Sequence, residues 1–572
     1  MAISNIEIAD IFTHLAELLE IQGYNSFKIK AYKNAAKEIE NLGTSISQMV
    51  EKGDDISKIP SIGNHIAKKI IEIVKTGKLS QLEKLQKKFP PHILDLLKVE
   101  GIGPKRAKIL YDTLRISSLD ELMKAAKEHK IRELDGFSDK IEQKILDKTM
   151  FAKKIGKRFM YSVAEPHADA ILDYMQKSKD ILKVLVAGSF RRRKDTVGDL
   201  DMVATSKNPK KAIDYFVKYP DIKEIVLHGD TRSTIILKSN IQVDFRCVQE
   251  ESYGSALHYF TGSRAHVLAI RKLAVQRDLK INEYGIFKGK QSISGSSEED
   301  IYKTMGFSYI EPELRENRGE LEASKNGKLP HLINQEDMRG DLHMHTTYSD
   351  GQNSIEEMAE AALKLGYEYI AITDHSKHLS IVHGMDEKRL RAQLEKIDEI
   401  NEKLKDITIL KSIEVDILED GSLAMSNSLL KELDLVVAGV HDKFNLSIKQ
   451  QTKRVLKAMD NPYFNILAHP TGRIINQREP YSLDMELLFK ETVQKGCFLE
   501  INSQPKRLDL NDIYAKIAKD LGVRFSISTD SHNIQSLNYM KYGIYQARRG
   551  WIEKKNVINT LPLNQLKEIL KR

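Results

Sequence analysis

From residue 338 onwards the chain alternates short apolar segments with helical stretches, and this alternation constrains its fold more than any other feature. The apolar segments read YIAIT, ITILKSIEV, LDLVVAGV, FNILAH, CFLEIN and FSISTD. Regular alternation of strands and helices produces a parallel sheet, and in barrel-like sheets the functional residues lie at the carboxyl ends of the strands. We therefore predict a barrel-like α/β domain with a functional site at those strand ends.

Histidines and acids follow nearly every one of these strands. The nine candidate metal ligands are His343, His345, Asp350, His375, Glu414, His441, His469, Asp530 and His532. A single histidine is more often packed or solvated than a ligand, but six histidines and three acids at strand ends do not fit that alternative. Imidazole with carboxylate suits Zn²⁺, Mn²⁺ or Fe²⁺, and bridging carboxylates suit a multinuclear cluster.

Three acids farther upstream occupy two short hydrophobic strands. Asp199 and Asp201 open one strand in VLVAGSFRRRKDTVGDLDMVAT, and Asp244 lies in a second, IQVDFRCV. Alternation puts Asp199 and Asp201 on one face of their strand. Converging carboxylates repel unless they hold divalent metals, and a two-metal site with hard oxygen ligands suits Mg²⁺ and in-line phosphoryl transfer. A lone D-x-D pair is usually solvent-facing, but the Gly188–Ser189 turn offers backbone donors for a phosphate and favours nucleotidyl transfer.

Length and composition are those of a multidomain globular protein. With 572 residues, 41% hydrophobic and 30% charged, the chain can form several domains, each with its own core. No apolar run approaches a bilayer span and the N-terminus lacks a signal-peptide pattern, so we expect no membrane partner. Two distant cysteines, Cys247 and Cys497, argue against a disulfide framework and fit a reducing cytoplasm. A net charge of +8 is compatible with a polyanionic partner.

Two segments in the helical N-terminal part carry the glycines of helix-hairpin-helix turns. The first contains Gly63, and the second, VEGIGPKRA, contains Gly101 and Gly103. Glycines let the turn approach a phosphate, and N–H groups at the next helix start bind it without reading sequence. Lys105 and Arg106 add positive charge. One such turn alone is usually a plain helical turn, whereas two beside a transferase site favour DNA backbone binding. A third segment, LDGF at residues 134–137, lacks the second glycine and predicts structural packing.

Residues 1 to about 315 resemble the X-family DNA polymerases, the group that includes DNA polymerase beta. The motifs AYKNAA, the two hairpins, GSFRR, GDLD, VDFR, YFTGS and INEY occur in the family's order. The resemblance implies that Asp199 and Asp201 bridge two Mg²⁺ or Mn²⁺ ions, and that Asp244 holds the catalytic metal and helps to deprotonate the primer 3′-OH. The implied nucleotide-binding residues are Gly188, Ser189, Arg192 and Gly198 for the triphosphate and Tyr259, Phe260 and Gly262 for the sugar.

The same resemblance implies DNA contacts. Lys28 and Tyr32 would touch gapped DNA, and Arg271 would lie near the template minor groove. Two residues depart from the animal polymerase: Gln242 and Arg264 stand where it has an arginine and an aspartate.

Lys69 matches the family's Schiff-base lysine for a 5′-deoxyribose phosphate. An imine-forming lysine needs burial or neighbouring cations to lose its proton. The alternative is that Lys68 and Lys69 solvate a helix face and touch phosphate. His65 stands where the family has a phosphate-binding lysine.

Residues 338–572 resemble the PHP (polymerase and histidinol phosphatase) domain, since DLHMHTTYSDG, TDH, VAGVH, ILAHP and STDSH supply all nine ligand positions in order. The intact set implies a metal-dependent phosphoesterase. Fusion to a polymerase implies a DNA 3′ end as substrate, hence 3′→5′ exonuclease, with 3′-phosphatase and abasic-site endonuclease activities. Candidate phosphate or base contacts, with surface solvation as the alternative for each, are Asn502, Ser503, Arg473 and Lys443.

We therefore expect a multidomain fold in six parts. These are a helical lyase-like domain at 1–85, a helix-hairpin-helix subdomain at 86–155, an α+β nucleotidyltransferase palm at 156–250, a nucleotide-selecting subdomain at 251–315, a surface linker at 316–337, and a distorted (β/α)7-type barrel at 338–572. The expected protein is a monomeric, cytoplasmic, nucleoid-associated repair polymerase that uses dNTPs and gapped or primer-template DNA. Two alternatives remain: a template-independent nucleotidyltransferase with a phosphatase domain, and a DNA-end-binding scaffold.

Overall fold

The computed structural model describes residues 5–41, 46–59, 61–90, 93–99, 102–143, 145–146, 149, 158–378, 382–475, 478 and 480–571. Gly101 and the expected boundary at residue 155 lie outside the described residues. Buried apolar side chains form separate clusters in a helical N-terminal region, a mixed α/β region and a C-terminal α/β region. Among the described helices, none combines the length and apolar character needed to cross a bilayer.

The N-terminal region is helical, as the sequence predicts. Its helices are α1 (Asn5–Gln22), α2 (Ser26–Asn41), α3 (Ile46–Lys52), α4 (Asn64–Thr76), α5 (Ser80–Gln86), α6 (Pro104–Leu114) and α7 (Leu119–Lys127). Apolar residues at helical spacing bury one face, as Phe12, Leu15 and Leu19 do in α1. Helices α4 and α6 begin directly after Gly63 and Gly103, so each described hairpin glycine precedes a helix N-terminus.

A five-stranded sheet forms the middle region. Its elements are β1 (Phe159–Met160), α8 (Tyr161–Gln176), β2 (Ile181–Val186), α9 (Gly188–Arg191), β3 (Thr196–Val197), β4 (Asp199–Ser206), α10 (Pro209–Phe216), β5 (Ile222–His228), β6 (Arg232–Leu237) and β7 (Gln242–Val248). The strand order is β2-β4-β7-β6-β5, and β4 runs parallel to β7. Leu200 and Met202 of β4 are buried in the same cluster as side chains of α8 and α10, which leaves Asp199 and Asp201 on the opposite face.

A smaller helical and antiparallel unit follows. It contains α11 (Tyr253–Thr261), α12 (Arg264–Val275), β8 (Leu279–Asn282), β9 (Gly285–Lys288), β10 (Gln291–Ser294) and α13 (Glu298–Thr304). The strand order is β10-β9-β8. Ile270 and Tyr302 are fully buried in a cluster that also includes Trp551 from the C-terminal region.

The segment 316–337, for which the sequence predicts a surface linker, is packed instead. It contains α14 (Glu320–Lys325), and the fully buried Glu320 carboxylate contacts His266 Nδ1 at 2.6 Å. Ile333 is also fully buried, and its N–H donates to Ile552 O at 3.1 Å. His266 of the smaller unit therefore compensates the buried Glu320 charge, and the segment packs against the C-terminal region through Ile333.

The C-terminal region alternates strands and helices as expected. Its strands are β11 (Gly340–Met344), β12 (Tyr369–Ile372), β13 (Thr408–Lys411), β14 (Glu414–Asp416), β15 (Val437–Gly439), β16 (Ile466–Leu467), β17 (Phe498–Asn502) and β18 (Phe525–Ser528). Its helices are α15 (Ile355–Lys364), α16 (Glu387–Lys403), α17 (Asn427–Leu430), α18 (Ile448–Ala458), α19 (Met485–Gln494), α20 (Asp512–Asp520), α21 (Met540–Arg549) and α22 (Leu563–Leu570). Neighbouring strands are parallel in two sheets, β11-β12-β13 and β14 to β18.

The segment ITILKSIEV, which the sequence predicts as one strand, forms two. The chain breaks after β13, which pairs with β12, and resumes as β14, which pairs with β15. Parallel bridges between His375 and Glu414 and between Met344 and Ser531 connect the two sheets at both seams. The break lets one apolar run contribute to both sheets and brings Glu414 beside the end of β12.

The C-terminal region and the middle region share a core. Leu508 and Tyr542 are buried in the cluster that contains the β4 and β7 side chains. In addition, Lys541 Nζ and the Tyr542 hydroxyl each donate to Glu165 Oε2 on α8 at 2.7 Å. The two regions are therefore packed directly against each other.

Candidate active sites

The structure brings the three predicted acids of the middle region together. Parallel pairing of β4 with β7 puts Asp201 beside Asp244, and one carboxylate oxygen from each of the three acids lies within 4.8 Å of the others. Asp244 is oriented by two neighbours, since its Oδ1 accepts from Thr234 Oγ1 at 2.6 Å and its Oδ2 from Gln242 Nε2 at 2.7 Å. Gln242, which departs from the family pattern, thus holds a site carboxylate.

The acid cluster has the electrostatics of a cation site. Burial, followed by the charges of Asp199 and Asp244, raises the pKa of Asp201 to about 8. Burial and then Asp244 also raise the pKa of Asp199. Carboxylates that repel each other in this way bind a divalent cation in place of a proton, and their oxygen ligands fit Mg²⁺ or Mn²⁺.

Gly188 touches the acid cluster directly. Its φ is +61°, and a Cβ built on it would lie 2.2 Å from Asp201 Oδ2. The Ala187 N–H donates to Asp201 O at 2.6 Å, so the turn and β4 are joined at this point. Ser189 lies in the first turn of α9, directly after Gly188. Glycine is therefore required here both for its backbone conformation and for the space it leaves.

Arg192 links the acid cluster to the predicted sugar pocket. Its Nε donates to Glu316 Oε1 at 3.0 Å, and its Nη1 donates to Thr261 O. Burial lowers the pKa of Arg192, and Glu316 opposes that shift. A Cβ at Gly262 would lie 3.1 Å from Arg192 Nη1, so this glycine lets the guanidinium lie against the pocket.

Two arginines beside the pocket were missed by the sequence reasoning. Arg191 Nη1 donates to Thr261 Oγ1 at 2.8 Å, and the Arg246 guanidinium lies 4.8 Å from the Phe260 ring centroid. Strand alternation could have identified Arg246, because it lies two residues after Asp244 and shares its face. Phe260 thus packs against a charged group beside the acid cluster.

The other predicted nucleotide and groove contacts differ in exposure. Tyr259 is half-buried and meets Phe260 edge-on, with ring centroids 5.2 Å apart. Gly198 is also half-buried, and a Cβ on it would lie 3.5 Å from Arg158 Nη1. Arg271 is only 9% exposed, so the structure does not present it as an open contact for the minor groove.

The hairpin glycines leave open space above their turns. Gly63 and Gly103 are exposed, and a Cβ on either would meet no atom of the described residues within 4 Å. Lys105 is exposed beside Gly103. Arg106 is used differently, because its guanidinium lies 5.5 Å from the Phe137 ring centroid in the third glycine segment. Of the two predicted phosphate contacts, Lys105 is therefore the accessible one.

Tyr32 is not the open DNA contact that the sequence predicts. It is 3% exposed and stacks on Phe12 with ring centroids 5.9 Å apart, and its hydroxyl lies 3.4 Å from His65 Nε2. Its neighbour Lys28 is exposed. The aromatic ring serves the helical core because it follows the buried spacing of α2.

Lys69 is half-buried on α4, and its Nζ donates to Gln81 Oε1 at 2.7 Å. Burial lowers the pKa of Lys69, and Glu72 opposes that shift. The direction of this shift is the one that an imine-forming amine requires.

The nine predicted ligands of the C-terminal region converge at strand ends. Eight of them fall into three overlapping groups whose ligand atoms lie within 4.8 Å of one another. These groups are His345, Asp350, His375 and His532; His343, His345 and Asp530; and His375, Glu414 and His441. The ninth, His469, has its Nε2 3.0 Å from Glu414 Oε1. Because His345 and His375 each belong to two groups, the arrangement fits a multinuclear cluster.

The donor set fits metal ions. The Nε2 atoms of His343 and His345 lie 3.2 Å apart, and buried His345 Nδ1 and His469 Nδ1 have no hydrogen-bond partner among the described residues. A Cβ on Gly439 would lie 3.0 Å from Glu414 Oε1 and 2.8 Å from His441 Cε1, so this glycine keeps the floor of the cluster open. Imidazole and carboxylate donors of this kind suit Zn²⁺, Mn²⁺ or Fe²⁺.

Acids that the sequence reasoning missed orient two of the histidines. His343 Nδ1 lies 2.7 Å from Glu500 Oε1, and His441 Nδ1 lies 2.8 Å from Asp416 Oδ1. Such carboxylates fix the ring and its tautomer so that the other nitrogen faces the metal. Asp416 lies on β14 and Glu500 lies on β17. Strand alternation predicts which face of a strand a residue lies on, but it does not distinguish an acid that orients a histidine from any other buried residue.

Charges in the cluster compensate one another. Burial alone would raise the pKa of Glu414, but the adjacent His375 and His441 hold it well below its usual value. Burial alone would lower the pKa of His441, but Glu414 and Asp416 raise it to about 9.

Polar residues line the mouth of the cluster. A cavity of about 300 Å³ is lined by seven of the nine candidate ligands and also by Arg478, Gln504, Lys506 and Arg507, none of which the sequence reasoning singled out. Three of these four residues are cations that line the same cavity. The Arg478 guanidinium also stacks 4.1 Å from the Phe444 ring centroid.

Of the four phosphate or base contacts that the sequence suggests, two are buried and two make ion pairs with other side chains, and Asn502 Nδ2 donates to the candidate ligand Asp530 Oδ2 at 3.1 Å. Asn502 and Ser503 are fully buried, and Asn502 Nδ2 donates to Glu500 Oε2 at 3.0 Å. Lys443 lies at the surface, with its Nζ 3.8 Å from Glu419 Oε2. Arg473 donates from Nη1 to Asp195 Oδ2 at 3.1 Å, so it is an interdomain contact.

Four family models match parts of the chain. They are the DNA polymerase beta thumb over residues 256–316, a helix-hairpin-helix domain over 3–79, a SAM-like helix-hairpin-helix tandem over 93–149, and the PHP domain over 341–504.

Curated relatives match in whole or in part. The chain is 38% identical over 570 residues to the DNA polymerase/3′-5′ exonuclease PolX of Bacillus subtilis (strain 168), covering 99% of both chains. It is 31% identical over 243 residues to a probable phosphatase of Thermoanaerobacter sp. (strain X514), covering 40% of this chain and 94% of that protein. It is 23% identical over 353 residues to DNA polymerase lambda of Arabidopsis thaliana, covering 54% of this chain and 62% of that protein.

The middle region with its acid triad and the C-terminal region with its histidine-rich cluster thus define a nucleotidyltransferase joined to a phosphoesterase. The full-length match shows that the chain belongs to the X family of DNA polymerases, in the form that carries a C-terminal PHP domain.

Proposed function

We propose that the protein is a template-directed DNA polymerase that fills short gaps during DNA repair and also removes nucleotides from 3′ ends. The single observation that carries the proposal is the convergence of two separate sets of candidate ligands in one chain, the Asp199–Asp201–Asp244 triad and the nine-residue cluster. The name of the Bacillus relative, with which the chain aligns over 99% of its length, supports both activities.

In the polymerase site, catalysis depends on positioning and charge. Divalent metal, when bound by the triad, would neutralise the triphosphate and the developing charge. Asp244 is the group that would accept the primer 3′-OH proton, at a carboxylate fixed by Thr234 and Gln242. Arg192 would bind the triphosphate, and Tyr259 and Gly262 would line the pocket for the sugar.

In the PHP site, the residues around the cluster would bind the DNA strand. Metal ions, when bound, would supply the nucleophile and neutralise the phosphate. Arg478, Lys506 and Arg507 line the same cavity and would hold the phosphates of the terminal nucleotides. The parallel bridges at both seams support a distorted barrel around this cavity. Abasic-site endonuclease and 3′-phosphatase activities would use the same groups.

The helical region would bind the DNA backbone. Open turns at Gly63 and Gly103 and the exposed Lys105 support sequence-independent contact. The lowered pKa of Lys69 supports a lyase step, because a neutral amine can attack the sugar aldehyde. We also propose that the protein acts as a monomer at the nucleoid.

One experiment separates this function from the alternatives. A labelled duplex with a one-nucleotide gap is incubated with Mg²⁺ or Mn²⁺, with and without dNTPs, and resolved on a gel. Templated addition with dNTPs and 3′ shortening without them is the expected result. Addition without regard to template would favour the template-independent transferase, and binding without either reaction would favour the scaffold.

A further inference from the structure

The loop that follows the phosphate-binding turn is held by the PHP domain. Arg549 Nη1 donates to Arg192 O at 2.7 Å, and the Arg193 guanidinium lies 4.3 Å from the Tyr545 ring centroid. Arg473 adds its contact with Asp195. Three of the four residues from 192 to 195 are thus fixed by side chains of the other catalytic domain.

A buried charge network continues this contact to the Arg192 side chain. Arg192 Nε and Arg549 Nη1 share one acceptor, Glu316 Oε1, at 3.0 and 3.1 Å. Arg549 Nη2 also donates to Asp512 Oδ2 at 2.7 Å, and Arg318 Nη1 reaches the same oxygen at 2.9 Å. Arg549 is 2% exposed, so these pairs are shielded from solvent.

The shared acceptor determines how strongly Arg192 can attract an anion. A carboxylate paired with Arg192 alone would neutralise it and compete with an incoming triphosphate. Since Arg549 binds the same oxygen, it takes up part of the negative charge of Glu316. Its bond to the Arg192 carbonyl also fixes the backbone from which the guanidinium projects.

We propose that Arg549 and Tyr545 of the PHP domain are positioning residues for dNTP binding at the polymerase site. They act through Arg192 and its loop and do not touch the nucleotide. This inference rests on the proposed polymerase function and extends it by making the nuclease domain a structural part of the nucleotide site.

Two matched pairs of variants test the inference in the full-length protein. Arg549→Gln is compared with Arg548→Gln. Arg548 also makes an interdomain ion pair, from its Nε to Glu313 Oε1 at 2.7 Å, but that contact does not involve the 192–195 loop. Tyr545→Leu is compared with Tyr539→Leu, because both rings pack against the same apolar cluster. The Tyr539 ring lies next to the Tyr542 ring, with centroids 5.9 Å apart, and not next to Arg193. For each variant, single-nucleotide gap filling gives kcat and the KM for dNTP, and 3′ shortening gives the nuclease rate.

We expect Arg549→Gln to raise the KM for dNTP by about 10-fold and Tyr545→Leu by about 3-fold, with kcat and the nuclease rate changed less than about 2-fold. Arg548→Gln and Tyr539→Leu should leave the KM for dNTP unchanged, and Arg549→Lys should recover part of the loss. Should Arg549→Gln fail to fold because Asp512 and Glu316 lose a buried partner, the tyrosine pair carries the test.

Equal effects within each pair, or a loss of nuclease and polymerase activity together, would overturn the inference and return these residues to a purely structural role. Absence of templated incorporation by the unmodified protein would instead refute the proposed function, so the two failures are distinguishable.

Discussion

His343 Nδ1 lies 2.7 Å from Glu500 Oε1, and this contact decides which nitrogen of the ring faces the metal-ligand cluster. Glu500 Oε2 also accepts a hydrogen bond from the main-chain N–H of His469 at 2.7 Å, so one buried carboxylate contacts two candidate ligands. It is therefore a part of the site that motif matching does not reveal.

Glu500→Gln should weaken metal binding and 3′ shortening by about 10- to 100-fold, because outer carboxylates of this kind fix ligand orientation. Metal content after dialysis and the nuclease rate measure the effect. Glu486→Gln, at an exposed position on α19, is the matched control and should change neither. Normal metal content in Glu500→Gln would contradict the role assigned to the carboxylate.

Gly188→Ala should abolish polymerisation and leave 3′ shortening intact, because its Cβ would meet Asp201 Oδ2 at 2.2 Å. Gly289→Ala is the control for backbone strain alone, since Gly289 has a φ of +59° and a Cβ on it would meet no atom within 4 Å in the described part of the chain. Alanine at either position would carry a similar backbone strain of about 1 kcal/mol, so a shared loss of activity would show that the carboxylate contact is not decisive.

Asp201→Asn should abolish nucleotide addition and leave the nuclease rate near wild type, and His343→Ala or Asp530→Ala should do the reverse. The reason is that the two ligand sets belong to separate clusters of side chains. Both reactions are measured on the same gapped duplex. Simultaneous loss in any one of these variants would argue against two independent catalytic centres.

Lys105→Ala should weaken binding equally for all DNA sequences and shallow the slope of log affinity against log salt by about 0.9, the value of one phosphate contact. Arg106→Ala should change the slope less and lower the melting temperature, because Arg106 packs on Phe137. Salt titrations of binding and thermal melts of both variants give the comparison. A larger slope change for Arg106→Ala would reverse the assignment.

Tyr259→Ala should reduce discrimination against ribonucleotides only modestly, because the main chain at the end of α11 remains beside the sugar. Exclusion of a 2′-OH through an unpaired buried hydroxyl is worth about 1–3 kcal/mol. Single-turnover incorporation of dGTP and GTP opposite template C measures it. Equal use of both nucleotides by the unmodified protein would eliminate the sugar gate.

Much of both catalytic sites could be predicted from the sequence, because strand alternation and strand-end positions determine which faces meet. Asp199 and Asp201 open β4 as predicted. Of the nine candidate ligands, His343 lies in β11, Glu414 begins β14, and the other seven follow a strand of the C-terminal sheets. The β4–β7 pairing that adds Asp244 is parallel and long-range, and we infer it because both acids lie in similar short hydrophobic strands.

What the sequence could not supply is how charges are paired across long distances. The sequence suggests Arg473 as a phosphate or base contact, but in the structure Arg473 binds Asp195 of another domain. The charged stretch around Glu320 reads as a surface linker, yet His266 compensates the buried carboxylate. Tyr32 reads as a DNA contact, yet it packs on Phe12. In each case the outcome depends on a tertiary neighbour that no local pattern encodes.

Leu508 and Tyr542, which complete the core beneath β4 and β7, have a consequence for the integrity of the molecule. A fragment truncated after the polymerase region would expose the apolar surface that they cover, and such surfaces promote aggregation. The nuclease domain therefore shields this surface within the same molecule, and a relative without that domain would need polar residues on the side of the sheet that it covers.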